Sequence, residues 1–339
     1  MNGSRSVLRM MAALAATIGL LVVPGPASSS PSGTDAADGG SAPTIAAVGD
    51  IACNSLPREH TRRCRYNRVA ALVERLDVDR FLPLGDIQYL HGDLDDFRAY
   101  YDRYFHDLKP ISSPVAGNHE TYTLYMRGFL DYFGDRVPSN RAYYSYDLGG
   151  WHLIALNSQL CKGVTWNRYE GKGHMPVVHG ENAGGCRRGD AQYEWLARDL
   201  AAHPNSRYPC TLAYWHHAWF RWGVYPKVGH WVKPLIRQLY RARADVILNG
   251  HYHNYQRFAP QDPYGNPDPR GVTEFIVGTG GSTYSGAPDG VPRPANLEAF
   301  QGRSFGALEM RLRDSGYDYR FVSAPGERDY ADSGSADCV

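Results

Sequence analysis

Apolar and polar positions along this chain separate into runs of two kinds. Thr44–Val48 is a short apolar run that stops at Gly49-Asp50, and Phe81–Leu84 is a second that stops at Gly85-Asp86, so each predicts a strand. Between them Val69, Leu72, Val73 and Leu76 recur at helical spacing and predict a helix over Asn67–Leu76. Asp95–Phe105 is predicted helical and rich in aromatics, and Ile111–Ala116 is predicted as a third strand. Tyr143–Asp147 and Trp151–Asn157, joined by Leu148-Gly149-Gly150, predict a hairpin. Asp190–Ala202 predicts an amphipathic helix with Tyr193, Leu196 and Leu200 inward. Cys210–Trp215, Val246–Leu248 and Glu274–Val277 predict strands, with a helix over Val232–Ala242 and a turn-rich Gly278-Thr279-Gly280-Gly281. Ala307–Leu312 and Tyr317–Val322 predict a closing hairpin. Strands alternate with helices and then predominate, which predicts an α/β sandwich with mixed sheets.

The polar clusters that follow these runs carry the chemistry. In order they are Asp50 in AAVGDIAC, Asp86 and Tyr89 in GDIQY, Asn118, His119 and Glu120 in GNHE, His216 and His217 in AYWHH, and His251 and His253 in GHYH. A parallel sheet looks like this when its strands deliver side chains at their carboxyl ends. Hard oxygen donors mixed with imidazoles suit paired divalent or trivalent transition metals. Metal pairs about 3.5–4 Å apart are a recurring device for splitting phosphate esters. Each motif is weak by itself, and the fixed order gives the set its meaning.

In that order the motifs resemble those of the calcineurin-like metallophosphoesterases. GDIQY matches the Gly-Asp-x-x-Tyr of the purple acid phosphatase branch. The resemblance runs from about Thr44 to the last residue and implies one domain over 44–339. The fold it implies is a four-layer α/β/β/α sandwich, with two mixed sheets face to face and metals at one sheet edge. It also implies roles. Asp86 bridges two metal ions, one with each oxygen. Asp50, Tyr89 and His253 complete the first site, and Asn118, His216 and His251 the second. His216 is preferred to His217 because the family's ligand position favours the first of the pair.

Many metallophosphoesterases place a histidine two residues after the first aspartate. This chain has Ala52 there, which cannot ligate, and Tyr89 fills the gap. A phenol of ordinary pKa, about 10, ionises near neutrality only beside a strong Lewis acid, so Fe(III) is expected at the Asp50/Tyr89/His253 site. In the purple branch charge transfer from this tyrosine gives the colour. Taken alone, Tyr89 is one of 24 tyrosines and would be read as packing. Zn, Mn or Fe(II) is expected at the Asn118/His216/His251 site. His251 and His253 lie on one side of an extended segment, so they can serve neighbouring ions.

His119 is the candidate acid for the leaving oxygen, its other nitrogen held by Glu120 or a backbone carbonyl. His217 is a second catalytic candidate that either contacts phosphate or packs. His152, His203 and His230 are read as ordinary surface or core histidines. Ala218 stands where many relatives have proline, and the aromatic Trp219–Tyr225 either suits a bulky leaving group or packs. The function expected is hydrolysis of phosphate monoesters by metal-hydroxide attack. A phosphodiesterase or nucleotidase on the same site, and an inactive metal- or phosphate-binding protein, are the alternatives. No His-Glu-x-x-His occurs, which disfavours zinc protease chemistry.

With 339 residues and 43% hydrophobic content the chain can bury a real core. Its formal net charge of +1 argues against a nucleic acid partner, while a small phosphate ester needs only local positive charge. Arg5 and Arg9 precede the apolar Met10–Val23 and a small-residue stretch, which reads as a Sec-type signal peptide over 1–29, cut near Ala27, followed by a flexible linker over 30–43. Secretion is therefore expected, and a retained membrane anchor is the alternative; the run is short for a span. With no Arg-Arg pair and no cysteine at the cleavage region, the twin-arginine route and a lipoprotein anchor are disfavoured. Six cysteines in an exported chain suggest disulfides; of about 15 possible pairings, Cys53–Cys64 and Cys161–Cys186 are preferred because each closes a local loop, which leaves Cys210–Cys338 to tie the C-terminal tail to the core. Cys53 as a metal ligand competes with this, against its soft thiolate. Lys162–Gly185, bracketed by Cys161 and Cys186, has little periodicity and is either part of the pocket rim or a surface loop.

Overall fold

Small and branched side chains fill β1 (Thr44–Val48), which lies in parallel beside β2 (Arg80–Pro83). The computed structural model of the chain describes residues 41–57, 63–162, 164–168, 174–178, 186–223 and 230–339. The expected signal peptide and most of the linker lie outside these residues. Ser41–Val339 forms one compact unit. No helix among the described residues is long and apolar enough to cross a membrane.

β1 is flanked on its other side by β12 (Gly306–Arg313), then β13 (Gly316–Ser323) and β14 (Asp332–Asp337), all antiparallel, giving a mixed five-stranded sheet. The second sheet has seven strands in the order β11 (Leu297–Gln301), β9 (Tyr255–Gln261), β10 (Val272–Val277), β8 (Val246–Gly250), β7 (Cys210–His217), β4 (Trp151–Ala155) and β3 (Tyr144–Leu148). Its four middle strands are parallel and its edges antiparallel.

Period-two alternation sorts the strand residues into layers. Leu212 and Tyr214 of β7 and Val246 and Leu248 of β8 join Val48, Leu308 and Met310 in the principal core. Ala213, Trp215 and Ile247 point the other way, into a second core with Leu196 of α6 (Ala191–Ala202) and Leu235, Ile236 and Leu239 of α7 (Lys233–Arg241). On the opposite side α1 (Tyr66–Leu76) buries Tyr66, Val69, Leu72 and Val73 in the principal core. α2 (Leu94–Asp96), a π turn over Phe97–Tyr101 and α3 (Asp102–Phe105) form one helical stretch. Its rings stack with those of α4 (Arg127–Phe133), Phe97 on Tyr132 at 4.9 Å among them. The arrangement is the expected α/β/β/α sandwich with mixed sheets.

Several local expectations change. Ile111–Ala116 is not a strand: it touches β2 only through bridges at Ser112 and Val115. Pro114 sits between them and has no N–H for a ladder. On α6, Gln192 and Leu196 are buried while Tyr193 and Leu200 are half-covered. The Lys162–Gly185 insertion follows α5 (Ser158–Cys161) and contains an antiparallel pair, β5 (Val164–Arg168) and β6 (His174–Val178). Phe220 lies against Phe258 and Trp222 against Phe300, in a third core with Ala218, so the described part of the aromatic stretch packs. All three expected disulfides form, which removes Cys53 from the candidate ligands.

The β3–β4 hairpin is tied to α6 by an ionic network centred on a buried histidine. His152, 1% exposed, points Nδ1 at Asp147 Oδ1 (2.8 Å) and Nε2 at Asp199 Oδ2 (2.9 Å), with His203 stacked on its ring at 3.7 Å. Burial lowers its pKa, but the hydrogen bonds and charges of Asp199 and Asp147 outweigh it and the net shift is upward. A histidine raised on folding contributes stability that is complete below its unfolded pKa, about 6.5, and is lost as pH rises through the folded value. Urea unfolding of wild type and His152→Gln should therefore differ more at about pH 5.5 than at about pH 8.5. Equal differences at both would refute the assignment.

Candidate metal centre

The pairing of β1 with β2 continues past both strands. Asp50 N–H donates to the Gly85 carbonyl (3.0 Å), Ile51 to Asp86 (2.9 Å), Ala52 to Ile87 (2.9 Å), and Tyr89 N–H returns to Ala52 (2.8 Å). This zipper sets Asp50 and Asp86 side by side. It also brings Tyr89 Oη to 3.0 Å from Asp50 Oδ1 and 3.3 Å from Asp86 Oδ2. Ala52 contributes backbone alone. Asp50, Asp86 and His251 all have positive φ, at 62°, 47° and 70°, a conformation that concentrates at functional sites. Glycine is needed where the loops close on one another. A Cβ on Gly85 would lie 2.7 Å from His216 Nδ1, and one on Gly117 would lie 2.2 Å from Asp86 Oδ1.

The second sheet supplies the imidazoles from the ends of β7 and β8. The register between these strands shifts between Tyr214 and His217, a bulge-like irregularity that aims consecutive histidines at one centre. His216 Nδ1–H donates to the Leu84 carbonyl (2.8 Å), which leaves Nε2 facing Asp86 Oδ2 at 3.2 Å. His251 Nδ1 lies 3.2 Å from His216 Nε2, and its N–H donates to Asp50 Oδ2 (2.8 Å). His253 Nε2 is 3.0 Å from Tyr89 Oη and 3.1 Å from Asp50 Oδ1, while its Nδ1 bonds Thr283 Oγ1. The polar side chains thus come from the strand ends of both sheets, not from one sheet edge.

The electrostatics are those of a cation site. Burial would depress His216, but Asp86 and Asp50 carry it up to about 9. Burial and the neighbouring His216 push His251 down to about 3, so its imidazole is neutral. Burial, with Asp50 and Asp86, pushes the Tyr89 phenol well above its ordinary range. Asn118 Oδ1 is buried with no hydrogen-bond partner, an arrangement that costs about 1–3 kcal/mol for an amide oxygen unless a cation satisfies it. The 3.0–3.3 Å spacings of Tyr89 Oη from Asp50, Asp86 and His253 match the ligand-to-ligand edge of about 3.0 Å expected around an ion with bonds of about 2.1 Å at right angles. The residues present fit bound metal.

His119 stands at the open side. Its N–H donates to Asp86 Oδ1 (2.9 Å) and its Nδ1–H to the Leu90 carbonyl (2.5 Å), leaving Nε2 3.8 Å from Asp86 Oδ2. Its side chain is 22% exposed. His217 is only 1% exposed, with Nδ1 2.9 Å from Ser158 Oγ and its ring 4.4 Å from that of His251. One ring nitrogen of each of His216, His217 and His251 lies within 4.8 Å of the others, so burial does not separate the two roles left open for His217. β6 passes the turn Glu120–Tyr122 that follows His119, which puts the insertion beside the centre.

Of the two supports expected for the His119 ring, the backbone carbonyl, that of Leu90, is the one present, and Glu120 has another place. It does not hold the His119 ring. Its Oε2 accepts the N–H groups of Gly117 (2.7 Å) and Asp86 (2.9 Å), and its Oε1 those of Ile87 (2.9 Å) and Gln88 (3.2 Å). Burial and Asp86 push its carboxyl up to about 7, against the pull of these N–H groups. Thr283, the Leu84 and Leu90 carbonyls and Ser158 orient histidines in the same indirect way. Only Glu120 left a trace in the sequence, as the last letter of GNHE.

Two facing mixed sheets with carboxylates, an amide and imidazoles at their strand ends define the class of metallophosphoesterases. Residues 43–255 match the family model of the calcineurin-like phosphoesterases, and the chain belongs to that family, on its purple acid phosphatase-like branch. Membership implies a binuclear metal centre. Purple acid phosphatase 22 of Arabidopsis thaliana is 25% identical over 260 residues, covering 71% of this chain and 53% of that protein. The chain spans about half the length of the curated relatives it matches. The purple acid phosphatase PPD1 of yellow lupin (Lupinus luteus) aligns with a TM-score of 0.65 at 16% identity, over 88% of this chain and 54% of that one. GAP50, described as the anchor in the inner membrane complex of Plasmodium, aligns at 0.61 and 12% identity, over 88% and 90%. At such identities these two structures establish the fold alone.

Proposed function

We propose that this protein is a secreted, metal-dependent phosphoesterase that prefers phosphate monoesters. The observation that carries this reading is the convergence of Asp50, Asp86, Tyr89, His216, His251 and His253, with a buried Asn118 amide oxygen that has no hydrogen-bond partner. Asp50, Tyr89 and His253 would hold one ion, Asn118, His216 and His251 the other, and Asp86 would touch both. Two such ions lower the pKa of water and neutralise phosphoryl oxygens. His119, pinned at Nδ1 by Leu90, would deliver a proton from Nε2 to the leaving oxygen. His217 and Ser158 would hold the His251 ring in place. The disulfides fit an oxidising compartment, and residues 1–29 would direct export there.

Fe(III) is the ion we assign beside Tyr89, because a phenol pushed up by burial ionises only against a strongly charged cation. Iron-loaded protein should absorb in the visible, and Tyr89→Phe should lose that band. A band of unchanged strength in the variant would exclude Tyr89 as the ligand. The activity is tested by hydrolysis of a chromogenic phosphomonoester and its diester analogue. A monoester preference supports the reading, a diester preference changes the function to phosphodiesterase, and no turnover of either by metal-replete protein argues for a binding role.

A further inference from the structure

We propose that Lys162 binds a non-bridging oxygen of a dianionic phosphate at this centre and so sets the preference for monoesters over diesters. The inference rests on the phosphoesterase reading above and assigns a residue that none of the sequence motifs contains.

Lys162 follows directly on α5, and α5 is fixed against the centre. The Asn157 side chain caps it by accepting the Gln159 N–H (3.0 Å), and Asn157 N–H donates to Gln192 Oε1 (2.7 Å). Cys161, the residue before Lys162, is tied to Cys186. Ser158, at the start of the same turn, touches His217. The Lys162 ammonium stands over the Trp231 ring at 5.4 Å, that ring is 5.6 Å from His217, and His217 is 4.4 Å from His251. A continuous wall of rings therefore leads from the histidines of the centre to this one cation. Burial lowers the Lys162 pKa against the pull of Asp86.

Among the described residues the ammonium has no ion pair and no hydrogen bond. A half-covered ammonium resting only on an aromatic face favours an anion beside it. A phosphate monoester carries close to two negative charges near neutrality, since its second pKa is about 6, whereas a diester carries one. The oxygen that a diester esterifies is the one that keeps its charge in a monoester. Lysine reads phosphate as a point charge, so its gain follows that difference.

The test uses the full metal-loaded protein and Lys162→Gln. Catalytic efficiency, kcat/KM, is measured on a phosphomonoester and its diester analogue, and the Kd of inorganic phosphate is measured by calorimetry alongside metal content. The expected result is a fall of about tenfold to a hundredfold on the monoester, a fall under about threefold on the diester, and phosphate binding weakened in step with the monoester loss. Metal content should not change, and Lys162→Arg should recover part of the loss. Equal falls on both esters, or unchanged phosphate affinity, would overturn the proposal. If wild type turns over neither ester, the phosphoesterase reading fails, and phosphate calorimetry still decides the role of Lys162. Wild type that binds no phosphate overturns it as well. Lys162→Met keeps the stem that lies on Trp231 and repeats the test should glutamine disturb the fold.

Discussion

Asp86→Asn is expected to lose phosphomonoester turnover by about a thousandfold or more, and bound metal with it. Asparagine keeps the shape of the side chain and one oxygen, so the His119 N–H that Asp86 Oδ1 accepts at 2.9 Å keeps a partner. What disappears is the charge. Asp86 Oδ2 faces His216 Nε2 at 3.2 Å and Tyr89 Oη at 3.3 Å, between the two sets of donors. Burial opposes that charge, yet His216 and His119 hold the carboxyl well below its usual range even without metal. An amide has no negative charge to offer the two cations that Asp86 would touch. A thousandfold loss corresponds to about 4 kcal/mol, within the several kcal/mol that charge stabilisation by metals supplies. Turnover and metal stoichiometry measured on one preparation decide the matter: a variant that keeps both would remove Asp86 from the centre.

Glu120→Ala is expected to lower folding stability by about 3–5 kcal/mol and to weaken metal binding, although Glu120 touches no ion. Its carboxylate is fully buried and gathers four backbone N–H groups from two loops, those of Gly117 and of Asp86, Ile87 and Gln88. Alanine leaves these donors without a partner in a dry site, and each unpaired donor costs about 1–3 kcal/mol. The loops that would separate are the ones carrying Asp86 and Asn118. Glu120→Gln should fall between, because one of its two ends presents N–H groups to N–H groups. Urea unfolding and metal content report the two effects separately. A Glu120→Ala protein within about 1 kcal/mol of wild type would contradict the account.

How far the sequence could be read depended on the kind of signal each part carries. β1, α1 and the β3–β4 hairpin were legible because apolar spacing or a Gly149-Gly150 turn marks them. β9 and β11 were not, since they bury Gln256 and Gln301 where apolar residues are expected. β14, with the sequence DSGSAD, has no apolar alternation, and its pairing with β13 alone defines it. On α6 the inward position belongs to Gln192 because its amide serves Asn157. The candidate ligands were legible because their chemistry stands at strand ends in a fixed order. Their supports were not: the Leu84 carbonyl exists at every residue type, and Thr283 meets His253 only once β10 is in place.

The two-sheet origin of the centre also bears on how the protein is made. Asp50 and Asp86 are synthesised early, but His216, His251 and His253 belong to the other sheet and emerge much later. No stretch of chain made before His253 holds the complete set of donors, so ions can be captured only after the strand ends of the two sheets have met. Metal loading is then a late event in maturation. The compartment in which the chain completes its fold, and the ions available there, would choose the metals it carries.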